Sequence, residues 1–114
     1  MSRLLENLRL YGADVSGALE RFVDDEQLYA DCLRLFMADD CFASLQSALE
    51  CGDESAAFES AHTLKGVAGN LGLTPLYQSL CTLVEVLRRR DGGDVRALCA
   101  AVLQEKSRVE ALLA

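Results

Sequence analysis

The chain is divided by punctuation that belongs to helices. Gly52-Asp53, Gly72 with Thr74-Pro75, and Gly92-Gly93-Asp94 recur at near-equal intervals. At each break a glycine that stops a helix precedes a residue that starts one. Aspartate and threonine accept hydrogen bonds from the orphan N–H groups of a first turn, and proline fits the first helical position. Apolar residues between the breaks keep helical spacing: Leu76, Leu80, Leu83, Val84 and Leu87 in one segment, Leu98, Val102, Val109 and Leu112 in the next. The chain holds a single proline, and its aromatic and β-branched clusters are too few for a sheet.

The spacing predicts helices over residues 41–51, 53–72, 74–91 and 94–114. Upstream, Asp24 with Gln27 three residues later resembles a capping box. It opens a helix whose inner face is predicted to include Leu28, Cys32, Leu35 and Phe36. Shorter helices are expected near residues 3–10 and 15–23. Short loops make consecutive helices antiparallel neighbours. The expected fold is all-α, an up-and-down antiparallel four-helix bundle with short additional N-terminal helices. It forms one domain over 1–114, with 1–23 as a helical cap and 24–114 as the bundle.

Charge narrows the function. A net charge of −7 opposes binding to nucleic acid, whose phosphates require a basic face. The one basic run, Arg88-Arg89-Arg90, falls at a predicted helix C-terminus, where cations suit the dipole. No apolar run is long enough to span a membrane. The N-terminal MSRLLENLRL is too charged for a secretion signal, so the expected location is cytoplasmic. Five cysteines, odd in number and without a CxxC pair, read as reduced thiols serving as small hydrophobes. No metal-type spacing joins Cys51 to His62, and no metal site is expected.

His62 is the sole histidine. On a helical wheel Ala57, Ala61, Leu64, Val67, Ala68 and Leu71 gather opposite it, so the imidazole points to solvent. Gly66 and Gly69 follow on the same face, and each costs roughly 0.5–1 kcal/mol relative to alanine inside a helix. With nothing of this domain expected on that side, the glycines make sense if a partner approaches the backbone there. Phe58 and Leu73 would flank that face as an apolar grip. Lys65, one turn on, can reach an anion carried by the imidazole. Histidine is a competent nucleophile near neutral pH, and the added group expected on it is phosphoryl.

The run AHTLKGVAGNLGL resembles the signature of histidine-containing phosphotransfer (HPt) domains in His62, Leu64, Lys65, Gly66, Leu71 and Gly72. The flanks LYADCLRLFMADDCFASLQSAL and LTPLYQSLCTLVEVLRRRD fit the family's neighbouring helices. The resemblance implies a phosphorelay carrier. His62 would take a phosphoryl group from a receiver-domain aspartate and pass it to another, with Lys65 holding the phosphoryl oxygens and Gly66 leaving room for the receiver. The implied partners are response-regulator receiver domains and a hybrid sensor histidine kinase. No cofactor is expected on this chain, since the receiver would bring Mg²⁺. The chain lacks a nucleotide-binding loop, so a carrier rather than an ATP-using enzyme is expected. It is expected to act as a free-standing monomer, without nucleic acid or membrane.

One position departs from the family. Many members orient the imidazole with a polar residue on the next helix, where this chain has Val84, with Glu85 adjacent. Either Glu85 serves, or His62 lacks an orienting side chain. Glu59, one turn before His62, reads as a solvated charge. Three other readings stay open: a non-phosphorylated adaptor, a module phosphorylated by a separate histidine kinase, and a structural bundle with a metal-bridged surface histidine.

Overall fold

The computed structural model describes residues 2–90 and 93–114. Within them the chain forms seven helices: α1 (Arg3–Tyr11), α2 (Val15–Arg21), α3 (Glu26–Met37), α4 (Cys41–Cys51), α5 (Glu54–Asn70), α6 (Thr74–Arg89) and α7 (Val95–Leu113). No strand occurs among the described residues. Helices α4 to α7 form the antiparallel bundle. α4 packs on α5, α5 on α6 and α6 on α7, and α4 meets α7 to close the ring. α1 and α3 lie against α7, with α2 between them.

At Gly52, Asp53 and Asp94 the punctuation works as the spacing predicts. Asp53 and Asp94 accept hydrogen bonds from the Ala56 and Ala97 N–H groups at 3.1 and 3.0 Å. Gly52 ends α4 in the left-handed conformation at φ +74°. Pro75 lies in the first turn of α6, but the N-cap is Leu73, and the Thr74 hydroxyl instead donates to the Gly72 carbonyl. α6 ends with Arg90 left-handed. Gly92, half of the predicted Gly92-Gly93 break, lies outside the described residues.

The start of α3 differs from expectation. Val23 and Asp24 both adopt positive φ, at 54° and 58°, because the chain turns there from α2 into α3. The cap is therefore Asp25, which accepts from the Leu28 N–H at 3.0 Å. Gln27 donates to Asp31 instead of reaching back. The buried face of α3 is Tyr29, Ala30, Leu33, Phe36 and Met37. Leu28 and Leu35, predicted inward, are 46% and 72% exposed.

The core is apolar throughout, with no buried charged residue among the described residues. Leu45, Leu64, Leu76, Leu80, Leu83, Val84 and Val102 are fully buried. Each such side chain contributes roughly 1.5–3 kcal/mol relative to exposure. Cys99 is buried, Cys32, Cys41 and Cys81 are half-buried and Cys51 is exposed, all as free thiols. Burial pushes the Cys99 and Cys41 thiols above their ordinary pKa. Among the described residues no helix is long and apolar enough to cross a membrane.

Candidate functional site

α5 is amphipathic through small residues. Ala57, Ala61, Leu64 and Ala68 form its buried face, and the three alanines let α4 and α6 approach closely. His62 falls on the opposite, exposed face. Its ring stacks on Phe58 one turn earlier, with centroids 5.7 Å apart and planes inclined by 29°. Phe58 is half-buried and packs against the core. The guanidinium of Arg88, reaching over from α6, lies 5.6 Å from the Phe58 centroid. Lys65 is half-buried on the next turn, with no ion pair to any described residue.

The three glycines after His62 differ in what surrounds them. A Cβ built on Gly66 would meet nothing within 4 Å, so the helix face is open there. Gly69 is not open. A Cβ there would stand 3.2 Å from the Tyr77 ring, so α6 packs on that side. Its clearance has an internal cause, which corrects the expectation that both glycines face only solvent. Gly72 has φ +69°, and a Cβ would come within 2.5 Å of the Asp14 carbonyl oxygen. Here glycine serves the turn and the approach of α2.

Leu73 does not flank the site. The left-handed turn at Gly72 folds the chain back, the Leu73 N–H donates to Ala68 O at 3.0 Å, and the side chain is fully buried. Of the expected apolar grip only Phe58 lies beside His62. Glu85 is not brought to His62 either. Its carboxylate accepts from Arg88 and pairs with Arg89 at 3.7 Å. Val84 is fully buried, and Glu59 is exposed.

The end of α5 is held by residues far away in sequence. A helix C-terminus leaves carbonyls without partners. Arg21 donates to Asn70 O at 2.9 Å and Gly69 O at 3.1 Å. The Tyr29 hydroxyl donates to Leu71 O at 2.7 Å, and the Asp14 N–H to Gly72 O at 2.8 Å. Burial raises the Tyr29 phenol to a pKa of about 12. None of these clamps has a local sequence signal, because each partner is more than forty residues away. The contact of Arg88 with Phe58 is equally invisible in one dimension, since the helix dipole already accounts for an arginine there.

No cluster of three or more His, Cys, Asp or Glu side chains suited to a metal ion occurs among the described residues. The described residues thus form an antiparallel helical bundle with the chain's one imidazole exposed on α5. The model of the Hpt domain family matches residues 33–114, and the chain belongs to that family. Hpt domains are phosphocarrier modules of two-component signalling. Comparison with curated proteins and with solved structures finds no match. The family match begins within α3, so the carbonyl clamps from Asp14, Arg21 and Tyr29 come from outside the matched region.

Proposed function

We propose that His62 is the phosphoacceptor of a phosphorelay, loaded from the aspartyl phosphate of one receiver domain and discharged to the aspartate of another. An imidazole nitrogen attacks phosphorus, an N–P bond forms, and the P–O bond to the aspartate breaks with the carboxylate as leaving group. Return transfer reverses these steps. The receiver contributes the acidic pocket and its Mg²⁺, and this chain contributes position and charge. Lys65 neutralises part of the roughly two negative charges that a phosphoryl group adds. Gly66 admits the receiver to the backbone beside the ring.

The observation that carries this reading is the pairing of the exposed His62 with the empty space over Gly66, one turn away on the same helix. In a family of phosphocarriers, a helix that gives up stability at an open position next to its only imidazole is shaped for a partner. The test is exchange with isolated receiver domains. Phosphorylated receiver should lose its label to this chain, and the labelled chain should pass it to unphosphorylated receiver. A chain that binds receivers without taking label would be an adaptor, and this proposal would fail.

A further inference from the structure

We infer that Phe58 orients the reactive imidazole, in the role that a hydrogen-bonding side chain on the neighbouring helix would otherwise fill. The inference rests on the reading of His62 as the phosphoacceptor and adds the residue that aims it. Phe58 is here a positioning residue, since it acts on the imidazole and not on the phosphoryl group.

Three observations converge on it. First, side chains on a helix lean toward its N-terminus, so residue 62 is directed back onto residue 58. The rings meet in the offset arrangement that aromatic pairs prefer, 5.7 Å between centroids and 29° between planes. Second, His62 makes no hydrogen bond or ion pair with any described residue. The stack is what restrains the ring. Third, Phe58 is itself held. Its inner side packs on the core, and Arg88 lies 5.6 Å from its centroid. Arg88 is anchored by its ion pair with Glu85 on the same helix. A connected series, Glu85 to Arg88 to Phe58 to His62, thus runs from α6 to the imidazole. Glu85 bears on the histidine at two removes and not by direct contact.

The consequence is geometric. Nucleophilic attack uses a lone pair in the plane of the imidazole. A ring stacked on a neighbour has one face covered, and the stack leaves free the edge where the nitrogen lone pair lies. Restricting the ring torsion removes conformations in which no nitrogen faces the incoming phosphorus. That is an orientation effect on the rate of transfer and not on receiver affinity. An apolar grip for the receiver would do the opposite.

The experiment compares Phe58→Leu and Phe58→Tyr with the unmodified chain. Leucine keeps apolar packing and removes the aromatic face, while tyrosine keeps the face. Single-turnover transfer is followed over a range of phosphorylated receiver concentrations. Phe58→Leu should lower the saturating rate about three- to tenfold, the effect of one aromatic contact. The half-saturating receiver concentration should not move, and Phe58→Tyr should restore the rate. In NMR spectra without any phosphoryl donor, the His62 ring protons should carry a ring-current shift that disappears in Phe58→Leu. Transfer by Phe58→Leu at the unmodified rate would overturn the inference. So would a loss confined to half-saturation, which would make Phe58 a docking residue, or an unchanged ring-proton shift. Absence of label on the unmodified chain would instead overturn the phosphocarrier reading itself, and this inference with it.

Discussion

Alanine placed at each of the three glycines after His62 should give three different results. At Gly66 a Cβ meets nothing within 4 Å. Gly66→Ala therefore gains helix propensity without a clash, about 0.8–1 kcal/mol. For a chain of this size that corresponds to a rise in melting temperature of about 4 °C. At Gly69 the same gain is opposed by the Tyr77 ring at 3.2 Å. Tyr77 is partly exposed and can shift, so the net change should lie within about 0.5 kcal/mol of zero. At Gly72 the left-handed backbone costs alanine about 1–2 kcal/mol. The approach to Asp14 O also threatens the hydrogen bond from Asp14 N–H to Gly72 O, worth about 1 kcal/mol more. Gly72→Ala should therefore lose about 2–3 kcal/mol. The assay is urea unfolding followed by circular dichroism, run beside receiver-to-chain transfer. Gly66→Gln completes the set, since it keeps most of the propensity gain and adds bulk where the receiver docks. It should be more stable than the unmodified protein and much slower in transfer. Transfer at the unmodified rate in a stabilised Gly66→Gln variant would refute the access argument. A destabilised Gly66→Ala variant would refute the claim that the position is open.

Further expectations concern the cation and the clamps. Lys65→Ala should slow transfer roughly fivefold at low salt, about 1 kcal/mol, with a smaller effect at high ionic strength. Lys65→Arg should retain more activity, and an unchanged low-salt rate in Lys65→Ala would reduce the residue to a surface charge. Tyr29→Phe leaves the Leu71 carbonyl without its donor and should cost about 1–2 kcal/mol in urea unfolding. The Tyr29 phenol titrates near 12 in the folded protein, against 10.0 for a free phenol. The unfolded chain thus releases this proton first as pH rises. The associated stability is present below pH 10.0, falls above it and is gone once pH passes about 12. Tyr29→Phe should flatten that alkaline loss, as measured by unfolding free energy against pH.

How much was legible in one dimension depended on the range of the physics involved. The ends of α4 and the starts of α5 and α7 were legible because Gly52, Asp53 and Asp94 act within one turn of themselves. The buried face of α6 followed from apolar spacing alone, and all five predicted residues are buried. The exposure of His62 followed from the alanines and Leu64 opposite it. The phase of α3 did not follow, because its start is set by two residues of positive φ at Val23 and Asp24, and neither is glycine. The burial of Leu73 is not legible because a helical wheel carries no information past the left-handed Gly72. The company of Gly69 lies on another helix, and the arginine and tyrosine that close α5 come from far upstream. In each of these cases the deciding feature lies outside the helix being read, in a turn residue or on another element, and pattern reading of a single helix has no access to it.

Locating the phosphoryl group decides whether His62 is the phosphoacceptor. The unmodified chain and His62→Gln are incubated with phosphorylated receiver domains, and the label is mapped by mass spectrometry and by its stability to acid and base. One acid-labile, base-stable phosphoramidate is expected, on His62. No stable label is expected in His62→Gln, whose helical circular dichroism should match the unmodified chain. Label retained by a folded His62→Gln variant, or none on the unmodified chain with any receiver, would contradict the assignment.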